Sequence, residues 1–303
     1  MRRGGLGRGR RAPRGARPAI FIVGVARSGT TLLRLMLDAH PDLAIPPETH
    51  FIPRVIRACD GPDPHADAFR AMTEHRRWPD FGLEPEALRE RLDSYRRLTA
   101  GDAMREFYGL YATKHGKDRW GDKSTNYVRR MKPISRILPE ARFVHLIRDG
   151  RDVALSLVAV HFGPDTVDAA AEKWTGEIAK ARRQAARLPH YTEIRYEELI
   201  ADPEPVLRRV CAATDLPWDD AMLAYQERAG GRIAEIVRDF DRAEGDTVTA
   251  EVRAAHQANV SKPLQSDRAA RWRTEMSASD VDAFERIAGG MLDELGYERG
   301  QAG

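Results

Sequence analysis

Ala19-Ile20-Phe21-Ile22-Val23-Gly24-Val25-Ala26-Arg27-Ser28-Gly29-Thr30-Thr31-Leu32-Leu33-Arg34-Leu35-Met36 is the stretch on which the fold turns. An unbroken run of Ile, Phe and Val suits a strand buried on both faces, and it predicts a parallel strand over residues 20–25. Apolar residues at helical spacing then predict a helix over 30–39, stopped at His40-Pro41 because proline cannot continue it. A strand that passes through glycines into a helix makes an anion site. Backbone N–H groups converge in the loop, and the helix N-terminus adds about half a positive charge. Arg27 supplies a cation and Ser28, Thr30 and Thr31 supply hydroxyl donors, while Gly24 and Gly29 allow close approach of phosphate oxygens.

The loop nearly matches GxxxxGK[ST], but Thr30 stands where that pattern requires lysine. In ATPases this lysine serves the β- and γ-phosphates, so its absence argues against nucleoside triphosphate hydrolysis. Arg27, inside the loop, suits one phosphate plus a tetrahedral anion instead.

Outward from the loop, strand and helix patterns alternate. A short apolar segment at 43–45 leads to Pro46-Pro47-Glu48, and a core pattern returns at 119–123. Helices are predicted over 126–138, 152–159, 167–188 and 280–295, and strands over 143–147 and 192–196. This alternation predicts an α/β fold: a P-loop-like three-layer α/β/α domain on a central parallel sheet. Residues 60–118 are polar, with helical patches at 84–92 and 103–111, and read as a helical insertion on that sheet. His145, in a strand, and Trp174, in a helix, read as core residues.

Composition bounds the rest. A hydrophobic share of 42% with 31% charged residues is that of an ordinary globular protein, and no stretch reaches the ~20 apolar residues of a membrane span. The net charge of +3 belongs to the first 17 residues, which hold seven arginines and no acid; without those seven charges the remainder stands at −4. This Arg/Gly tail is expected to be disordered. A nucleic-acid-binding arm is the rival reading of it, a solvated tail the plainer one. Only Cys59 and Cys211 are present, too few for a disulfide framework, and no CxxC pair or His/Cys cluster offers a zinc site. No metal and a cytoplasmic location are expected.

Further residues cluster where chemistry is expected. Arg148-Asp149-Gly150-Arg151-Asp152-Val153-Ala154-Leu155-Ser156 again runs from strand into helix. On chemistry alone Arg148 can hold a second phosphate or pair with an acid at the helix start. Glu48 lies 21 residues after Arg27, just past the second strand, and both should reach the carboxyl edge of the sheet, where α/β proteins bind ligands. A carboxylate there can take a proton from an attacking hydroxyl; His50 is the rival base. Lys123 is one of seven lysines in a chain with 42 arginines, which fits a wanted point charge.

Taken together, FIVGVARSGTTLLRLMLDAHPD, PPETHFIPRV and the Arg148–Ser156 motif resemble the sulfotransferases, and most of all their tyrosylprotein branch and its bacterial relatives. The resemblance extends over about residues 18–297. It implies 3′-phosphoadenosine 5′-phosphosulfate (PAPS) as donor and a hydroxyl as acceptor, with small molecules, sugars and tyrosyl peptides all open. It further implies that Arg27, Ser28, Gly29, Thr30 and Thr31 bind the 5′-phosphosulfate and that Arg148 and Ser156 bind the 3′-phosphate. Glu48 would be the base, and Lys123 would stabilise charge on the sulfuryl group. Tyr196, Lys262 and Arg271 would approach the nucleotide, and residues 60–118 would cap the acceptor site. In one respect the chain departs from the branch: a serine is expected a few residues before Lys262-Pro263, where this sequence has His256 and, closer, Ser261. A small-molecule P-loop kinase is the enzymatic alternative.

Overall fold

The computed structural model describes residues 17–160, 163–235, 239–241, 247–250 and 268–300. The Arg-rich segment before residue 17, Lys262, and the His256 and Ser261 positions lie outside the described residues.

The first strand, β1 (Ala19–Val23), is buried throughout, as an all-apolar run requires. Ala19, Phe21 and Val23 pack into one core and Ile20 and Ile22 into another, so alternate side chains serve opposite faces. Helix α1 (Thr30–Asp38) follows the loop and β2 (Leu43–Ala44) follows α1. Then come α2 (Ile52–Cys59), α3 (Pro64–Thr73), a 3₁₀ turn at Trp78–Phe81, α4 (Pro85–Asp93) and α5 (Ala100–Lys114). The chain re-enters the sheet at β3 (Arg119–Lys123) and continues through α6 (Met131–Ile137), β4 (Ala141–Ile147), α7 (Gly150–Val158) and α8 (Val167–Ala185) to β5 (Tyr191–Arg195). Helices α9 (Tyr196–Ala201), α10 (Pro203–Thr214) and α11 (Gln226–Ala234) follow, and the helices Trp272–Glu275 and Ala278–Glu294 come last.

The five strands form one parallel sheet in the order β2-β3-β1-β4-β5. β1 is central, with β3 on one side and β4 on the other. Successive connections leave it in opposite directions, which opens a crevice at the carboxyl ends of these strands. Helices cover both faces, giving the α/β P-loop-like architecture that the sequence predicts. His145 and Trp174 are wholly buried, as expected.

Two sequence expectations need correction. The single helix expected over 126–138 is a 3₁₀ turn, Thr125–Arg129, followed by α6. Pro133 explains the break. Its ring would clash with the carbonyl four residues back, at Arg129, so α6 can begin only where proline falls in its first turn. The stretch from residue 60 to 118, read as polar, buries Trp78, Phe81, Phe107, Tyr108 and Tyr111 in one aromatic cluster with Phe51. Its helices extend beyond the two patches read in the sequence, and α3 carried no clear pattern there.

Candidate active site

The loop after β1 is shaped by its backbone. Arg27 and Gly29 both take left-handed conformations, φ 73° and 91°. The first is uncommon for a side-chain-bearing residue, and such strain gathers at binding sites. A β-carbon at Gly24 would lie 2.6 Å from the Leu146 carbonyl oxygen, and one at Gly29 would run into the Tyr196 ring. Both glycines are therefore fixed by close approach. Ser28 is buried, and its Oγ has no hydrogen-bond partner among the described residues. Thr30 and Thr31 open α1, with Thr30 buried.

The register sets what surrounds this loop. Val23 lies level with His145, and Ile147 with Arg195. Arg148 and Tyr196, each the next residue along, therefore sit at the ends of β4 and β5 beside the loop. The Arg148 guanidinium lies over the Tyr196 ring, 4.5 Å from its centroid. Arg148 donates to the Arg27 carbonyl (3.3 Å), to the Arg268 carbonyl (2.8 Å) and to Asp152 (3.3 Å), while the Trp174 indole N–H donates to the Arg148 carbonyl (3.1 Å). Asp152 also accepts from the Trp272 amide at 2.9 Å. Arg148 thus makes the acid pairing that sequence chemistry left open. Burial, and then the charge of Arg148, lower the pKa of Arg27. Arg27 Nε and Arg148 Nε are buried without a hydrogen-bond partner among the described residues. Two guanidinium groups this close repel each other, and an anion between them would relieve that repulsion.

Ser156 stands one turn beyond Asp152 on α7, half-buried. Arg271 begins the Trp272–Glu275 helix and forms a two-pronged pair with Glu275, 2.7 Å at Nε. It is close in sequence to Arg268 and Trp272, which touch the Arg148–Asp152 pair.

On the other side of β1, Ile22 lies level with Lys123. Lys123 is buried and donates to Glu48 Oε1 at 2.8 Å. Glu48 Oε2 lies 2.6 Å from His50 Nε2 and 3.7 Å from Arg77. Burial pushes the Glu48 carboxyl up, but Lys123, His50 and Arg77 outweigh it and hold its pKa well below the usual range.

A directional network pins this segment to β3. The Ile52 amide donates to the Tyr127 hydroxyl (3.1 Å), which lies 2.8 Å from Thr49 Oγ1, and Thr49 Oγ1 donates to Asp122 (2.9 Å). Tyr108 donates to the same Asp122 oxygen at 2.9 Å, and Ser124 Oγ accepts from the Thr49 amide at 3.1 Å. Thr49 pairs with Asp122 and Glu48 with Lys123, so successive side chains of the segment after β2 meet successive side chains at the end of β3. From the far end of α1, Asp38 accepts the Ile45 amide (2.7 Å) and Arg34 donates to the Ile45 carbonyl (2.9 Å), three residues before Glu48.

The structure therefore gathers Arg27, Ser28, Gly29, Thr30, Thr31, Arg148 and Tyr196 around one loop, and Glu48, His50 and Lys123 on the neighbouring strand ends. Sequence reading missed Arg77, Asn126 and Arg34; Asp152 was among the helix-start acids it left open as a partner for Arg148.

A profile of the sulfotransferase family matches residues 18–220, which include all of these elements. The chain belongs to the sulfotransferase family. Among curated proteins, this sulfotransferase is 29% identical over 295 residues to protein-tyrosine sulfotransferase 1 of Danio rerio, covering 93% of the chain and 72% of the relative. It is 29% identical over 296 residues to the Homo sapiens protein-tyrosine sulfotransferase 1, covering 93% and 70%. The Drosophila melanogaster protein-tyrosine sulfotransferase is 27% identical over 290 residues, and the chain spans about half of it, 52%. Among solved structures, the sulfotransferase domain of the Synechococcus PCC 7002 olefin synthase superposes with a TM-score of 0.65 at 22% identity, covering 96% of this chain and 99% of that one. The sulfotransferase domain from the curacin biosynthetic pathway gives 0.58 at 21%, covering 94% and 99%. These two likenesses support the fold. The protein is thus a transferase of sulfuryl groups.

The cytoplasmic location expected from the cysteine count is overturned by the same comparison. The curated relatives it brings up are protein-tyrosine sulfotransferases. Among the described residues no helix is long and apolar enough to cross a membrane.

Proposed function

We propose that this sulfotransferase takes its sulfuryl group from PAPS and passes it in line to an acceptor hydroxyl, leaving adenosine 3′,5′-bisphosphate. The observation that carries the reading is the pair Arg27, in the loop, and Arg148, beside it: among the described residues the buried Nε of each lacks a hydrogen-bond partner, as does the Ser28 hydroxyl of the same loop. PAPS carries phosphate groups at two separate ends of one nucleoside. ATP carries all of its phosphates at one end and needs only one such element.

The residues fit this donor. Loop amides, Ser28, Thr30, Thr31 and Arg27 hold the 5′-phosphosulfate against the start of α1. Arg148 holds the 3′-phosphate with Ser156, and Tyr196 packs beneath the Arg148 guanidinium. Arg271 and Lys262 approach the nucleotide from the last part of the chain. Lys123 neutralises charge building on the sulfuryl oxygens. Glu48 removes the hydroxyl proton as the acceptor oxygen bonds to sulfur. The bond from sulfur to the 5′-phosphate oxygen breaks in the same displacement, its electron pair leaving on that phosphate. Lys123 blocks Glu48 Oε1 in the structure, so the base becomes competent when Lys123 turns to the incoming anion. A phenolic hydroxyl, the group named in the curated relatives' titles, is the acceptor class this reading favours. Arg77 reaches Glu48 from the segment after α3, which supports residues 60–118 as the acceptor-site cap.

Calorimetric titration separates this reading from a P-loop kinase. Wild type is expected to bind adenosine 3′,5′-bisphosphate far more tightly than AMP, with or without EDTA. Arg148→Ala should cost the bisphosphate ~10- to 100-fold, the worth of a charged hydrogen bond, and leave AMP nearly unchanged. Equal wild-type affinity for the two ligands, or tight Mg²⁺-dependent ATP binding, overturns the proposal.

A further inference from the structure

Glu48 is held by two different partners on its two oxygens, and the second leads away from the donor. Oε1 receives Lys123 at 2.8 Å; Oε2 meets His50 Nε2 at 2.6 Å. The other imidazole nitrogen, Nδ1, lies 3.1 Å from Asn126 Nδ2 on the 3₁₀ turn after β3. An amide NH₂ can only donate, so Nδ1 must be the acceptor and carries no proton. The single proton of the neutral ring then sits on Nε2 and points at the carboxylate.

The backbone is arranged to bring this about. Thr49 is anchored by Asp122, Ser124 and Tyr127, and the residues on either side of it are Glu48 and His50. His50 takes a left-handed conformation, φ 60°, which a side-chain-bearing residue adopts only where its surroundings hold it there. That turn lays the ring against Oε2 and Asn126.

We propose that His50, held in its Nε2–H tautomer by Asn126, is the positioning residue for Glu48: it occupies Oε2 so that Oε1 is the oxygen presented to the acceptor hydroxyl. This rests on Glu48 being the base. A hydrogen bond from Nε2–H fixes the carboxylate in place. The groups facing the ring include Glu48 on its own segment, Asp122 on β3, Asn126 beyond β3 and His75 on the connection after α3.

The test follows kcat and KM with labelled PAPS as donor and a phenol as acceptor. The variants are His50→Ala, His50→Gln, Asn126→Asp and Glu48→Gln. Calorimetric affinity for adenosine 3′,5′-bisphosphate, unchanged in every variant, reports an intact fold. His50→Ala should lower kcat by about 10-fold or more with donor KM unchanged, the loss of one hydrogen bond to a charged group. In His50→Gln the side-chain amide still donates to Oε2 and should recover most of kcat. Asn126→Asp can only accept from Nδ1–H, so it draws the ring proton away from Oε2 and should lower kcat as His50→Ala does. A wild-type kcat in His50→Ala or in Asn126→Asp, or a kcat in His50→Gln no higher than in His50→Ala, overturns the inference. Full activity in Glu48→Gln overturns the base assignment itself, a different failure.

Discussion

At the scale of single residues, the Lys123–Glu48 pair does two jobs that a substitution separates. Lys123 is the first of the charges that hold the Glu48 carboxyl down against the burial that raises it. A carboxyl with a lowered folded pKa stabilises the native state above its unfolded pKa, and that stability is lost as pH falls through the folded value. In Lys123→Met the buried carboxyl meets less opposition, so its pKa rises. Thermal stability should then fall at neutral pH, and the acid limb of kcat/KM should move to higher pH. Turnover itself should drop by ~10²- to 10³-fold, the usual loss for a group that stabilises developing charge. A variant with wild-type kcat and an unmoved acid limb would remove Lys123 from the mechanism.

Among the elements, β3 and the segment after β2 are joined through Asp122, whose wholly buried carboxyl is pushed up to about 6. Here the sign is reversed. A folded pKa above the unfolded one makes the native state bind the extra proton, so Asp122 costs stability progressively as pH rises from about 4 to 6, and the cost stays constant above that. Asp122→Asn keeps an acceptor for Thr49 and Tyr108 and removes the charge. Its melting temperature at neutral pH should equal or exceed wild type, and the melting-temperature slope over the acid range should flatten. A large loss at neutral pH would show that the network needs the carboxylate. The same elements mark how far the sequence could be read. The strand–loop–helix units at Gly24–Thr31 and Arg148–Ser156 were legible because each is local: a strand run, a turn and a helix face adjoin in sequence. The insertion was not. Phe51, Trp78, Phe81 and Phe107 come one or two at a time from different elements, so no single window shows their shared periodicity. Arg77 and Asn126 reach Glu48 and His50 from connecting segments, and a lone polar residue in a connection carries no sequence signal. Pro133 was a readable breaker that a longer apolar pattern concealed.

For the whole molecule, the consequential feature is the register of β1 with β4. Residues 19–23 pair with 141–145, and everything from α1 to α6 lies between them. The phosphate loop is encoded near the start of the chain, yet the partner strand that backs it is synthesised more than a hundred residues later. Pairings of such long range are slow, since a large loop must close before any contact rewards it. A ribosome-bound chain ending before β4 should therefore present the loop sequence without any nucleotide affinity. Binding of adenosine 3′,5′-bisphosphate should first appear in chains long enough to expose β4, α7 and β5, and in refolding from denaturant it should return together with amide protection of β1. Donor affinity would then act as a clock for sheet closure, timing the last large step of folding from inside the active site.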